Sequence, residues 1–170
     1  MSVIVNTTVI SNFASIGQLD VLRQLYGLLV MVTDVYDEIQ AGLEEGYRFY
    51  AGIEQWVQPL AEGGWMHLTS LRHEQELRYF RELPTRLHRG EMSSLAIARH
   101  RGWLLLTDDR AARTEATRLG VLVSGSLGCL VLAVERHLCS LAQANSWLQE
   151  MMRQGYRSPV TDLTPLLKRE

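Results

Sequence analysis

The amino-acid sequence predicts a three-layer α/β/α fold around a central parallel sheet of about four or five strands. Short apolar runs without polar alternation indicate strands that are covered on both faces of the sheet. Longer segments with helical spacing of their apolar residues separate these runs, which is typical of crossover connections between parallel strands. The sequence has 170 residues and shows no internal repeat or proline-rich linker, so we expect one domain over residues 1–170.

The strands are predicted from their apolar runs, in chain order. The first run is followed at once by an amide and two threonines, and the third by a threonine and two aspartates. The predicted strands are VIV at 3–5, LLVMV at 28–32, WLLLT at 103–107 and VLV at 121–123.

The helices are predicted mainly from their ends. Glycine is enriched just beyond helix C-termini. We therefore predict that the helix LDVLRQLYG ends at Gly27 and that the helix GEMSSLAIARHRG, which starts at Gly90, ends at Gly102. The segment DVYDEIQAGL is predicted to begin at Asp34 as the cap, with Asp37 at the third position. Residues 43–88 are predicted as a helical insertion of two helices around a short extended piece at WMHLT. Further helices are predicted over DRAARTEATRLG and over 140–154.

Composition limits the classes of function. The net charge of −2 does not indicate a nucleic-acid binder by itself. Residues 72–118 are rich in arginine, which can fork onto phosphate, although a charged run is more often a solvated surface. Cys129 and Cys139 form no CxxC pair, and the N-terminus lacks a basic signal region. The longest apolar run is too short to span a bilayer, so we expect a cytoplasmic protein without a membrane segment.

Acidic or amide side chains come from four distant segments that the topology brings to one edge of the sheet. Asn6 ends the first predicted strand, and Glu38 lies in the helix after the second. Glu91 begins the helix that feeds the WLLLT strand, and Asp108 and Asp109 follow that strand. Parallel α/β sheets bind ligands at the carboxyl ends of their strands. Converging carboxylates repel one another unless a cation lies between them, and oxygen ligands favour Mg²⁺ or Mn²⁺.

Each of these acids also has a purely structural interpretation. Helix capping is the better explanation for Asp34 and Asp37. Glu38 is not needed for capping and shares its helix face with small and apolar residues, while Glu91 lies between Leu87 and Leu95. For Glu38 and Glu91, the sequence supports a site and a structural role equally. A helix cap explains one of the two aspartates at 108–109 but not both.

Taken in order, these residues resemble the PIN domain, a family of metal-dependent nucleases that act mostly on RNA. The matching motifs span about residues 3–135. They are VNTTVIS with Asn6, VYDEI with Glu38, RGEMSSLAIA with Glu91, and LLLTDDR with Thr107 and Asp109. Beyond them, GSLGCLVLAVERH and GYRSP resemble a PIN subgroup common beside small antitoxin-like partners in prokaryotes.

Two positions depart from the pattern of the family. Asn6 stands where PIN domains usually have their first metal-binding aspartate, so this position brings an oxygen but no charge. Ala111 and Ala112 stand where a further aspartate often follows, and Asp108 could compensate as a metal ligand. The resemblance therefore implies a metal site with one softened ligand and weakened activity.

The resemblance implies hydrolysis of RNA phosphodiester bonds with Mg²⁺ or Mn²⁺ held by Glu38, Glu91 and Asp109, with Asn6 orienting. Its further implications are an RNA substrate, a small antitoxin-like protein partner and a homodimer. A toxin of a toxin–antitoxin pair is the corresponding biological role. Residues with supporting roles are the arginines Arg89, Arg110 and Arg113 for substrate phosphates, and Thr7, Ser11 and Thr107 beside the ligands.

Two other classes of function remain open. A catalytically weak or inactive module could use the Asn6 cleft to bind nucleic acid or a partner protein. A Rossmann-like nucleotide-binding protein is disfavoured, because no GxGxxG follows VIV. The segment HEQEL at 73–77 begins like a zinc-protease HExxH motif, but Leu77 stands where the second histidine is required, and the histidines show no metal-ligand spacing.

Overall fold

The computed structural model describes residues 1–167 and contains one parallel sheet in that part of the chain. Every neighbouring pair of strands runs in the same direction. The strands are β1 (Val3–Val5), β2 (Leu29–Val32), β3 (Val57–Gln58), β4 (Met66–Thr69), β5 (Leu104–Leu106) and β6 (Val123–Ser124). Their order across the sheet is β3-β4-β2-β1-β5-β6. The predicted α/β class with a parallel sheet is confirmed, with six strands instead of four or five.

The α-helices of residues 1–167 are α1 (Thr7–Ser15), α2 (Leu19–Tyr26), α3 (Thr33–Glu44), α4 (Glu74–Glu82), α5 (Arg89–Arg101), α6 (Arg110–Arg118), α7 (Ser126–Glu135) and α8 (Leu141–Arg153). They form two packed groups. One group consists of α1, α2, α7 and α8, the other of α4, α5 and α6, and α3 contacts both α1 and α5. Short 3₁₀ turns cover Arg48–Tyr50, Ile53–Trp56 and Thr164–Leu166.

The prediction for residues 43–88 is confirmed for the short extended piece at WMHLT, but this piece is a strand of the sheet and the segment does not contain two α-helices. The WMHLT segment contains β4, which pairs with β2 in the register Leu29 to Met66, and β3 extends the sheet beyond it. This segment holds a single α-helix, α4, together with two 3₁₀ turns. β4 was not predicted as a sheet strand because the polar His67 interrupts its apolar pattern and its partner β2 is distant in sequence.

The predicted cap at Asp34 is also wrong. β2 continues directly into α3, so that Val32 occupies the cap position and the helix begins at Thr33. The Asp34 carboxylate instead accepts hydrogen bonds from Arg89 Nε at 3.1 Å and from Ser93 Oγ at 2.7 Å. Asp34 therefore ties α3 to α5, because a side chain in the first turn of α3 can reach the start of the neighbouring helix.

The sheet positions the polar residues as the topology requires. β1 and β2 are buried along their whole length, which shows that helices cover both faces at the centre of the sheet. Asn6 directly follows β1, α3 follows β2, and the aspartates at 108–109 lie between β5 and α6. These segments meet at the carboxyl edge. Among residues 1–167, the helices are all too short or too polar to cross a bilayer.

Candidate acidic cleft at the carboxyl edge of the sheet

A cavity of about 340 Å³ opens at the carboxyl edge of the sheet. α1, α3 and α5 all contribute to its wall. The residues that line it are Asn6, Thr7, Thr8, Val35, Glu38, His88 and Glu91. Four of the predicted site residues, Asn6, Thr7, Glu38 and Glu91, therefore share one cavity, which we call the acidic cleft.

Asn6 is held by its backbone, and its side chain is free for a ligand. Its N–H donates to the carbonyl of Leu106 at 2.9 Å, which fixes it between β1 and β5. The residue is only 1% exposed, yet neither Oδ1 nor Nδ2 has a hydrogen-bond partner within residues 1–167. Buried amides are almost always hydrogen-bonded, so an unpartnered one at the wall of a cavity indicates a place where a bound group completes the site.

Glu38 is oriented from two sides. Thr7 Oγ1 donates a hydrogen bond of 2.5 Å to Glu38 Oε2. On the other side, Gly90 at the start of α5 packs so closely that an added Cβ would lie 2.6 Å from Glu38 Oε1 and 2.9 Å from Val35 Cγ2. The absence of a side chain at residue 90 therefore allows α5 to approach α3 and to bring Glu91 near Glu38.

Glu91 is a half-buried carboxylate in negative surroundings. Its Oε2 accepts a hydrogen bond from the backbone N–H of His88 at 3.0 Å. Burial raises the pKa of Glu91 above its ordinary value, and the negative charges of Asp109 and Glu38 raise it further against the opposing effect of His88. The charges of Glu38 and Asp109 thus both act on Glu91.

Asp109 combines a structural role with an electrostatic effect on Glu91, and it is not among the residues that line the acidic cleft. Its Oδ1 accepts the backbone N–H of Ala112 at 2.8 Å, and it is the N-cap of α6. Its own N–H donates to Thr107 Oγ1 at 3.2 Å, so the buried Thr107 supports the turn that presents Asp109. Capping uses one of the two carboxylate oxygens, and the charge of Asp109 still acts on Glu91.

The neighbouring Asp108 has a different set of contacts from those of a cleft residue. Its Oδ1 accepts the backbone N–H of Ser126 at 2.8 Å, while its Oδ2 accepts Asn12 Nδ2 at 2.8 Å and Ser126 Oγ at 2.5 Å. Its own N–H donates to Thr8 Oγ1 at 2.9 Å. Asp108 therefore links α1, α7 and the turn after β5, and these contacts do not support the metal-ligand role predicted for it.

The predicted phosphate-binding arginines differ in their surroundings. Arg89 is paired with Asp34, and its guanidinium lies 5.8 Å from the centre of the Phe80 ring. Arg113 Nη1 donates to the carbonyl of Thr107 at 3.1 Å. Arg110, the first residue of α6, is exposed beside Asp109. Of the three, Arg110 is the one whose side chain forms no ion pair or hydrogen bond within residues 1–167.

Ser11 is the last predicted residue to be located, and several residues in or beside the acidic cleft were not predicted. Burial raises the pKa of Tyr50 and the neighbouring Ser11 side chain opposes this effect, whereas Ser11 does not line the acidic cleft. The sequence indicated no site role for His88, which is the exposed N-cap of α5, three residues before Glu91, and lines the acidic cleft. Thr8, Val35 and Gly90 also escaped prediction. Their only signal was proximity in sequence to Thr7, Glu38 and Glu91.

The fold and the acidic cleft define an α/β protein whose carboxylates gather where open parallel sheets bind their ligands. The model of the DUF3368 family, described as a PIN domain, matches residues 2–169. The chain therefore belongs to the PIN domain family, and the predicted resemblance is confirmed. PIN domains generally use divalent metals, and membership suggests a nucleic-acid substrate. No curated protein shows significant similarity to the chain.

Proposed function

We propose that this PIN domain is a Mg²⁺- or Mn²⁺-dependent endoribonuclease that hydrolyses RNA phosphodiester bonds at the acidic cleft. The observation that carries the proposal is the unpartnered, buried Asn6 amide beside the carboxylates of Glu38 and Glu91. Family membership supports the same class of reaction. The finer role, the toxin of a pair with a small antitoxin-like partner and a homodimeric assembly, rests on the subgroup resemblance of the C-terminal motifs.

The residues of the acidic cleft fit a hard divalent cation. Glu38 and Glu91 of the cleft, together with Asp109, whose charge acts on Glu91, would supply carboxylate oxygens, and Asn6 would supply an amide oxygen, a donor set that suits Mg²⁺ or Mn²⁺. The raised pKa of Glu91 reflects first its burial and then its acidic neighbours, and a cation would relieve that repulsion. Asp108 is left out of the ligand set because Ser126 and Asn12 already engage its oxygens.

A bound divalent cation would supply an acidified water and would neutralise charge that develops on the phosphate. The chain supplies the orientation. Thr7 holds the Glu38 carboxylate, and the His88 N–H holds that of Glu91. The Nδ2 of Asn6 can donate a hydrogen bond to a water or to a phosphate oxygen, which an aspartate at this position could not do. Arg110 would contact the substrate phosphate outside the cleft.

Asn6 also determines how tightly the acidic cleft holds a cation. An amide oxygen contributes a dipole instead of a full negative charge, so we expect weaker binding than with an aspartate at residue 6. The same feature favours a second candidate function, a module that binds nucleic acid without cutting it.

The test combines metal binding with RNA cleavage. We expect Mn²⁺ to bind in calorimetry and to support cleavage of a fluorophore-labelled single-stranded RNA. Glu38→Gln and Asp109→Asn should each abolish cleavage, because each removes a charged oxygen from the ligand set. Asp37→Asn is the matched control, since Asp37 is an exposed acid adjacent to Glu38 in α3.

Two outcomes would contradict the nuclease. Absence of binding heat at millimolar Mn²⁺, together with intact RNA, would exclude it. If fluorescence anisotropy then still detected RNA binding, the second candidate function would replace it. Cleavage that persists in both Glu38→Gln and Asp109→Asn would assign the activity to another site or to a contaminant.

A further inference from the structure

A second group of ligating side chains lies where α4 begins and α5 ends. His73 precedes α4, Glu76 lies in its first turn, and His100 lies in the last turn of α5. One potential ligand atom from each residue lies within 4.8 Å of the others. The centres of the two imidazole rings are 5.0 Å apart. His100 is about 13 Å further along α5 than Glu91, so this histidine cluster is separate from the acidic cleft.

Glu76 is fully buried and already oriented. Its Oε1 accepts Arg101 Nε at 2.6 Å, and its Oε2 accepts the backbone N–H groups of Arg72 at 2.9 Å and His73 at 3.2 Å. Hydrogen bonds of this kind fix metal-binding carboxylates in place. A carboxylate oxygen has two lone pairs, so Oε1 can accept from Arg101 and still bind an ion.

The two histidines provide the remaining ligands with little rearrangement. Both are exposed, so side-chain rotation alone can turn a ring nitrogen of each towards a shared ion. The backbone that carries them is fixed, because α4 packs along α5 and the Arg101–Glu76 ion pair joins the two helices. The cluster thus requires neither unfolding nor movement of a helix to close around an ion.

We propose that His73, Glu76 and His100 form a binding site for a transition-metal ion of borderline softness, and that this ion is Zn²⁺. Two imidazole nitrogens and one carboxylate oxygen are a common zinc ligand set that leaves a position for water. The same set disfavours Mg²⁺, which prefers oxygen ligands alone. Arg101 lies beside Glu76 and opposes a second positive charge, so the affinity is below that of a closed structural zinc site.

This proposal accounts for the HEQEL segment. The sequence places Leu77 where a zinc-protease helix has its second histidine. The fold supplies a histidine from a different helix, His100 on α5, to the side of α4 that carries His73 and Glu76. A bound ion would fasten the start of α4 to the end of α5, and this role is independent of the nuclease proposal.

The experiment titrates the full chain with Zn²⁺ by calorimetry and follows Co²⁺ binding by visible absorption. Both titrations use the Glu38→Gln background in excess Mg²⁺, so that the acidic cleft does not contribute. We expect one Zn²⁺ per chain, and a loss of at least about tenfold in affinity for His73→Gln and for His100→Gln. The control His137→Asn removes an exposed histidine at φ 57°, a conformation that asparagine tolerates, and should leave binding unchanged.

The thermal midpoint provides a second readout. Zn²⁺ should raise it in the Glu38→Gln protein and not in either histidine variant, since an ion stabilises the state that binds it. Equal Zn²⁺ affinity in the parent and both histidine variants would overturn the proposal, as would a lack of Zn²⁺ binding in the Glu38→Gln background. Circular dichroism checks folding, and if one histidine variant is unfolded the other decides.

Discussion

Two carboxylates packed near opposite ends of α5, Glu91 on that helix and Glu76 on α4, are in opposite situations. At the first end, half-buried Glu91 is near Glu38 and Asp109, and burial together with these charges raises its pKa. At the far end, burial opposes the ionisation of Glu76, but hydrogen bonds from Arg101 and from the Arg72 and His73 backbones outweigh it and lower the pKa to about 2. The more deeply buried carboxylate is therefore the one whose pKa is lowered. Neighbouring groups, and not the depth of burial, therefore distinguish the structural carboxylate from the carboxylate of the acidic cleft.

The largest effect is expected from removal of the charge on Glu76. Glu76→Gln leaves the Arg101 guanidinium, which is 19% exposed, without its counter-charge. Breaking a buried pair in this way should lower the free energy of unfolding by about 3 kcal/mol in urea denaturation. The control Glu74→Gln breaks the exposed pair with Arg78 one turn away on the same helix, and should cost less than about 1 kcal/mol. Equal losses in the two variants would contradict the structural assignment of Glu76.

The same carboxylate should dominate the acid dependence of stability. Because its folded-state pKa lies near 2 and its unfolded value near 4.5, its contribution is present above pH 4.5 and is lost as the pH falls towards 2. The contribution is about 3 kcal/mol. Urea denaturation at a series of pH values should show this loss in the native protein and a flatter curve in Glu76→Gln. Parallel curves for the two proteins would show that Glu76 titrates normally.

The adjacent aspartates give a smaller and more selective contrast. Asp108→Asn replaces an acceptor by a donor that faces Ser126 and Asn12, so it should destabilise the fold by about 2 kcal/mol while Mn²⁺ affinity is retained. Asp109→Asn keeps a good helix cap, so stability should be nearly unchanged while Mn²⁺ affinity falls. Urea denaturation and Mn²⁺ calorimetry on both variants provide the check. Lost Mn²⁺ affinity in Asp108→Asn with lost stability in Asp109→Asn would make Asp108 the cation ligand and Asp109 the structural residue.

Much of the fold follows from local signals in the sequence. The apolar runs of β1, β2 and β5 and the glycines after α2 and α5 predicted these elements nearly to the residue, because each signal acts within a few positions. β3 and β4 were missed as sheet strands since their stability comes from pairing that is distant in the chain. β6 begins at Val123, two residues later than the predicted run, with exposed Leu122 before it.

The candidate site was predictable where topology alone decides position. Asn6, Glu38 and Glu91 share the acidic cleft because parallel strands end at the same edge. Asp108 was not predictable, because its partners Ser126 and Asn12 are distant in sequence. The histidine cluster was not predictable either, because His73 and His100 are distant in sequence and lie at two different helices.

The measurement that tests the acidic cleft most directly is a Mn²⁺ titration by calorimetry of the native protein, Glu91→Gln and Asn6→Asp. A site of uncompensated carboxylates predicts binding in the native protein, weaker binding in Glu91→Gln, and at least about tenfold tighter binding in Asn6→Asp, which adds one negative charge. Equal affinity in all three proteins, or no binding in any of them, would contradict the assignment of these residues to a cation site.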